Sequence, residues 1–232
     1  RLDFVTEVAW QEQHRMLRVA FPTVIRTDQA SFDIQYGYAR RNTHRNLSWD
    51  MARFEVAAHK YADLSDHDYG VALLNDCKYG YKVLENVLDL NLLRSPKSPD
   101  PDADLGQHTF TYSLLPHTGD LIRSDVQEQA IQLNQPPARF AGFALGTTAV
   151  PITVDGDGVA LEVLKKAEKE ECLVVRLVER LGRDTTATVT LNDEKATLSE
   201  IDLMEWNTIA TLGRGRIEIP MKPFEIRTFK IL

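Results

Sequence analysis

Two stretches of this 232-residue chain carry more chemistry than a strand needs. The first is Arg41-Asn42-Thr43-His44-Arg45-Asn46-Leu47-Ser48-Trp49-Asp50, and the second is Leu73-Leu74-Asn75-Asp76-Cys77-Lys78-Tyr79-Gly80-Tyr81. Trp49, Tyr79 and Tyr81 stand there beside Asn, Asp, Arg and Lys, a mixture that suits sugar. The flat apolar faces of a pyranose pack on rings while its hydroxyls take polar partners. Hydrolysis with retention needs two carboxyls about 5 Å apart, and Asp50 and Asp76 are the pair that the clusters offer. Buried structural carboxylates are an equal reading of both. Trp49 likewise reads as a stacking platform or as a core indole. His44 and Arg45 read as loop braces, because a guanidinium fork commonly ties loops together.

Other chemistries are poorly supplied. His44 and His59 are fifteen apart, His108 and His117 nine apart, and no HxxxH, HxH or CxxC occurs, so the local signatures of zinc sites are missing. No G-x-S-x-G elbow supports a Ser/His/Asp triad. Gly146-Thr147-Thr148 and Asp155-Gly156-Asp157-Gly158 read as turns. They lack the Lys-Ser/Thr ending of a phosphate loop, and the acidic one lacks the later Glu of a calcium loop. A net charge of -7 argues against nucleic-acid and anionic-membrane partners, which need a concentrated positive field. Cys77 and Cys172 lie far apart in the sequence, which points away from a disulfide framework and towards a reducing, cytoplasmic setting. No apolar run approaches the ~20 residues of a membrane span. The first residues alternate as a strand without an initiator methionine, as a piece cut from a longer chain would begin.

The elements that must position the clusters read as strands. Leu2/Phe4/Val8/Trp10 and Met16/Leu17/Val19, separated by a short polar break, predict a hairpin. Ser31 to Tyr38 alternates as one strand. Phe54 to Leu64 reads largely as a buried strand between the clusters, an arrangement that can set both beside one pocket rim. Val83 to Leu93 is a strand pair about Glu85-Asn86, Arg94 to Asp104 a proline-rich loop, and Gln107 to Leu115 a further strand. One helix is predicted after Ser124, with Ser124 and Gln127 as a capping box, Val126, Ala130 and Leu133 as its apolar stripe, and Pro136-Pro137 beyond its end. From Val159 onward six short strands predict a small antiparallel sandwich. All six histidines precede Thr118, so this half reads as a supporting domain.

Several of these strings together have a family look. His44-Arg45-Asn46-Leu47-Ser48-Trp49-Asp50-Met51-Ala52-Arg53-Phe54-Glu55, the run Tyr69 to Tyr81, Leu93-Arg94-Ser95-Pro96-Lys97 with Pro99-Asp100-Pro101, and Pro223-Phe224-Glu225-Ile226-Arg227-Thr228 resemble the C-terminal part of family 38 α-mannosidases, in the cytosolic and bacterial branch. The resemblance implies an all-β fold: a large twisted antiparallel sandwich of the galactose-mutarotase-like supersandwich type, N-terminally truncated, over residues 1–150, then a small β-sandwich over 151–232, with one short crossover helix. It implies a retaining exo-glycosidase whose zinc, or another divalent metal, and aspartate nucleophile belong to an N-terminal α/β-barrel followed by a helical domain. No residue here inherits either role, and the expected cofactor count for this piece is zero.

The Asn75 to Gly80 string resembles a loop that reaches the active-site rim in that family, which assigns Asp76, Lys78 and Tyr79, with Trp49, to sugar contacts. The expected partners are the chain's own barrel and helical domain, a mannose-containing oligosaccharide and a second subunit. Two other readings stay open at this point. One is a free-standing carbohydrate-binding protein; the other is a self-sufficient enzyme using Asp50 and Asp76.

Overall fold

A computed structural model describes residues 1–139, 141–142 and 150–232. The Gly146-Thr147-Thr148 turn therefore lies outside the described residues. The chain divides into two compact units, Arg1–Arg139 and Phe140–Leu232, each built of antiparallel sheets.

The first unit contains ten strands: β1 (Leu2–Trp10), β2 (Met16–Pro22), β3 (Gln29–Ile34), β4 (Gly37–Asn42), β5 (Val56–Ala57), β6 (Tyr61–Ser65), β7 (Tyr69–Asn75), β8 (Gly80–Leu84), β9 (Val87–Arg94) and β10 (Gly106–Thr118). They form a six-stranded sheet in the order β1-β10-β7-β6-β3-β4 and a four-stranded sheet in the order β2-β9-β8-β5. Alternation puts Phe32, Ala62, Leu64, Val71, Leu73 and Phe110 of the larger sheet against Tyr81, Leu88 and Leu90 of the smaller. Burial of such side chains stabilises by about 1.5–3 kcal/mol each.

The predicted hairpin is not one. β1 pairs with β10 and β2 with β9, in different sheets, so the polar break crosses between the sheets instead of folding back within one. Ser95 fastens that crossing. Its hydroxyl accepts from Trp10 Nε1 at 2.8 Å and donates to the Glu12 carbonyl at 2.7 Å, and its N–H donates to the Arg15 carbonyl at 2.9 Å. The stretch Ser31 to Tyr38 is also two strands, since Ile34 pairs with Gly37 across a turn in which Tyr36 takes φ 57°.

Among the described residues two helices accompany the strands, α1 (Ser48–Ala52) and α2 (Val126–Asn134), the second preceded by a 3-10 turn, Leu121–Arg123. Val126 and Ala130 of α2 pack with Leu121 on Tyr61, Ala72, Leu74 and Leu115, the outer face of the larger sheet. The capping box does not form. The Ser124 hydroxyl donates to the Leu121 carbonyl at 2.8 Å, and the Gln127 amide reaches the Tyr61 hydroxyl at 3.3 Å. Gln127 is drawn to the sheet because a buried phenol needs a partner.

The same outer face buries a charge pair. His117 Nε2 lies 2.8 Å from Asp63 Oδ1, both side chains almost wholly enclosed, and the Ser65 hydroxyl donates to Asp63 Oδ2 at 2.7 Å. A Cβ on Gly70, which pairs with both Ser65 and His117, would stand 2.2 Å from the imidazole Cε1, so only glycine admits the ring.

Among its described residues the second unit has eight strands: β11 (Ile152–Asp155), β12 (Val159–Lys166), β13 (Leu173–Glu179), β14 (Thr185–Leu191), β15 (Leu198–Ile201), β16 (Thr208–Gly213), β17 (Arg216–Met221) and β18 (Ile226–Ile231). Their sheets run β11-β14-β17 and β12-β13-β18-β15-β16, closing on Val175, Leu177, Val189, Ile219, Met221 and Phe229. Two strands, β11 and β16, exceed the six expected. Both are short, and β16 lies at a sheet edge with an outward Ile209, so neither shows a clear apolar alternation. The strand expected to run to Met204 stops at Ile201, because the Asp202 carboxylate accepts from the Trp206 and Asn207 N–H groups at 2.9 and 3.1 Å and turns the chain.

Glu179, fully buried at the end of β13, organises the next turn. Its carboxylate accepts from the N–H groups of Leu181, Gly182 and Phe224 at 2.8 Å and of Arg183 at 3.3 Å.

Two stability predictions follow from the buried acids. Glu179→Ala strands four backbone donors, and a loss of at least about 3 kcal/mol is expected in urea unfolding; a loss under about 1 kcal/mol would show the turn holds without it. At His117, burial works against the charge, yet the hydrogen bond and charge of Asp63 outweigh it and hold the imidazole above its ordinary value. A raised pKa gives stability that is full below the ordinary value near 6.5 and lost as pH rises through the folded value. His117→Gln is therefore expected to cost about 3–5 kcal/mol near pH 6, with the gap narrowing as pH climbs. A gap that widens with pH would contradict the pairing.

Candidate functional site

The second cluster begins at the end of β7, where the Asn75 side chain is used completely. Its Nδ2 donates to the His59 carbonyl at 2.9 Å and to the Tyr81 hydroxyl, and its Oδ1 accepts from the Lys78 N–H. Its backbone carbonyl accepts from Asn134 Nδ2 of α2 at 2.9 Å. The chain then leaves the larger sheet, turns through Asp76-Cys77-Lys78-Tyr79 and enters the smaller sheet as β8.

Within the turn, Asp76 extends the β7–β10 ladder by one rung. Its N–H donates to the Thr111 carbonyl at 3.1 Å and its Oδ2 accepts from the Thr111 N–H at 2.9 Å. Lys78 folds inward, Nζ 4.3 Å from the centre of the Phe110 ring, a cation–π contact. Desolvation and the Asp76 carboxylate push the Cys77 thiol up to about 11, so it stays protonated at neutral pH and offers no thiolate. Tyr79 is the outward member, 59% exposed, with its ring set edge-on to His59 at 5.8 Å. The far side of that imidazole meets the Gln35 amide at 3.5 Å. Tyr79, His59 and Gln35 thus form one exposed rim built from three connections at one end of the sheet. His59 and Gln35 were missed in the sequence because only strand order brings their turns beside Tyr79.

The first cluster lies elsewhere. It occupies the connection from β4, the edge of the larger sheet, to β5, the edge of the smaller. Asn42 Nδ2 donates to Asp50 Oδ1 at 3.2 Å, His44 Nδ1 accepts from the Asn46 N–H at 3.4 Å and stands 3.8 Å from Asp50 Oδ2. Trp49 on α1 is 60% exposed. Arg45 is exposed and makes no hydrogen bond or ion pair among the described residues. This connection roofs a small crevice of about 30 Å³ along β8, with Arg41, Arg45, Arg53, Asp50 and Lys82 among its walls.

Register shows how far apart the clusters are. Ala72, Asp63, Ser31 and Arg40 share one row across β7, β6, β3 and β4. Asn75 is three residues beyond that row in one direction and Asn42 two residues beyond it in the other. Five residues along and three strands across amount to about 17 Å by about 14 Å. The structure does not bring Asp50 and Asp76 together as a catalytic pair, nor Trp49 and Tyr79 to one rim. Among the described residues, no group of three or more His, Cys, Asp or Glu side chains is placed to hold a metal ion.

Comparison with known proteins accounts for the arrangement. Residues 1–102 match the Glycosyl hydrolases family 38 C-terminal domain, and residues 158–229 match the Glycosyl hydrolases family 38 C-terminal beta sandwich domain. Alpha-mannosidase 2C1 of Mus musculus is 43% identical over 99% of this chain, and Alpha-mannosidase G of Dictyostelium discoideum is 42% identical over all of it. The chain spans only 23% and 22% of those relatives. A crystal structure of an alpha-mannosidase from Enterococcus faecalis V583 superposes with a TM-score of 0.83 at 23% identity, covering 99% of this chain and 27% of that one, which establishes the shared fold. Two family matches in the expected order, on sandwiches of the corresponding kind, place this chain in the C-terminal β-region of the family 38 glycosyl hydrolases.

Proposed function

We propose that this chain is the non-catalytic C-terminal portion of a retaining, zinc-dependent α-mannosidase acting on terminal α-mannosides. In this reading it packs on its own N-terminal catalytic barrel and helical domain and completes the sugar pocket. The observation that carries it is the match over 99% of this chain to a relative named alpha-mannosidase of which it makes up 23%. The zinc belongs to the barrel. The described residues do not fit it, since they supply no cluster of donors, and no step is assigned to a metal in this chain.

What this chain would contribute is a wall. Tyr79, steadied by His59, is the ring we assign to the sugar-facing rim, while Asp76 and Lys78 hold the loop at the angle that presents it. We assign residues 1–150 to the larger domain and 151–232 to the small supporting one, and a subunit contact to their surface. We assign the protein to the cytoplasm, because both thiols are free, as a reducing compartment keeps them. Among the described residues no helix is long and apolar enough to cross a membrane.

The exposure of Trp49 favours a second reading, a free-standing carbohydrate-binding protein that uses this ring as its platform. The two readings differ in the purified chain. The first expects no turnover of an aryl α-mannoside with zinc or cobalt added, and no heat with mannose; metal-dependent hydrolysis by this chain would overturn it. Millimolar or tighter mannose binding that disappears in Trp49→Ala would establish the second. In the longer enzyme, Tyr79→Ala is expected to raise KM about tenfold, ~1.4 kcal/mol, with kcat little changed. An unchanged KM would remove Tyr79 from the rim.

A further inference from the structure

The crevice under the β4–β5 connection has an unbalanced set of charges. Four cationic side chains line it: Arg41 from β4, Arg45 and Arg53 from the connection, and Lys82 from β8. None of them has a carboxylate within ion-pair distance among the described residues. Two acids share the space. Glu55 is bridged by Arg18, and Asp50 accepts from Asn42 at Oδ1, while its Oδ2 lies 3.8 Å from His44 Nδ1 and has no hydrogen-bond partner, so four cations stand against two carboxylates.

Arg41 is the pivot. Its guanidinium carbon lies 4.8 Å from the centre of the Phe32 ring, which fixes the plane of the fork, and its Nη1 is buried without a hydrogen-bond partner. A buried charged donor left unmatched costs more than a neutral one. Arg53 adds repulsion, since desolvation and then the Arg53 charge both act against the Arg41 cation. A water molecule can meet the orphan N–H but cannot offset two positive charges that line one crevice. An anion with forked oxygens does both, and the planar guanidinium matches that geometry.

From these observations we infer that the crevice is a binding site for one small oxyanion group, a phosphate ester or a carboxylate, gripped by Arg41 and Arg53 with Arg45 and Lys82 at its mouth. A volume of about 30 Å³ leaves room for a single terminal group and not for a polymer backbone. Two sources present that group: a free phosphorylated small molecule, or a carboxylate side chain from the remainder of a longer polypeptide. The site stands apart from the Tyr79 rim, and its failure would leave the assignment of that rim untouched.

Inorganic phosphate is the probe. Titrated into the 232-residue chain in a calorimeter, with sodium chloride matching ionic strength, it is expected to bind saturably and to raise the melting temperature. Loss of one forked, charge-assisted contact in Arg53→Gln is expected to weaken binding at least about tenfold. Arg45→Gln, at an exposed position, gives a smaller loss and remains informative if Arg41→Gln melts early in phosphate-free buffer. Arg183→Gln, in the second unit, leaves the affinity unchanged. The same titration on the longer protein separates the sources. Equal binding there identifies a free anion, whereas binding confined to the 232-residue chain identifies a carboxylate of the longer polypeptide as the resident group. Phosphate that acts no differently from chloride, or binding that survives Arg41→Gln combined with Arg53→Gln, would overturn the site.

Discussion

The side-chain amide of Asn75 is the constraint on which the first unit depends. A β-sandwich must pass its chain from one sheet to the other, and each crossing leaves peptide groups that belong to neither ladder. At the end of β7 that deficit is met by one residue, which ties the β5–β6 connection through the His59 carbonyl, the smaller sheet through the Tyr81 hydroxyl and the outgoing turn through the Lys78 N–H. Through its carbonyl it also ties the end of α2. Tyr81, fully buried, would keep without it only the long 3.3 Å bond from its hydroxyl to the Leu73 carbonyl; burial already pushes its ionisation far above the usual tyrosine range. Three layers therefore meet at one amide. The orientation of the Tyr79 ring is a consequence of that junction.

The sequence made the strands legible wherever alternation ran against a two-sided core. The β8–β9 hairpin, the proline-rich loop, β10 and the apolar stripe of α2 are properties of local pattern, and they stand where the pattern placed them. What local pattern cannot carry is strand order. Leu2 to Val19 alternates equally well as a hairpin or as two strands in facing sheets, and only Ser95, some eighty residues on, decides it. The separation of the clusters has the same origin. Trp49 and Tyr79 are thirty residues apart in sequence, yet three strands and a reversal of direction lie between them. Residue types identified which loops carry polar aromatic chemistry. They could not say that those loops leave the sheet at opposite ends.

Compositional reading also missed where the acids would be used. Glu179 reads as the polar end of a strand, but its carboxylate replaces the ladder for four N–H groups and leaves Gly182 packed so closely under Phe224 that a Cβ would come within 2.5 Å of the ring. Asp76 reads as one of a pair of catalytic acids, and the structure spends it on the Thr111 backbone instead. In both cases a carboxylate stands in for a missing main-chain acceptor where strands end. A sandwich whose strands end at different heights creates several such positions, so acids near strand ends are a weak guide to catalysis in this fold.

Charge gives the two sites of the first unit different reach. The chain carries a net -7, which at a distance repels anions, yet at physiological salt that field fades over about 8 Å. A group that has entered the crevice is nearer than this to Arg41 and Arg53, which with Arg45 and Lys82 outnumber the two acids there, Asp50 and Glu55. The Tyr79 rim works by the opposite means. Its contacts are a ring face, an imidazole and an amide, which suit a neutral hydroxylated ligand and are indifferent to salt. In the proposed reading one end of the sheet takes an uncharged sugar and the crevice at its edge a small anion, a division that would follow from which side chains the strand order leaves without partners.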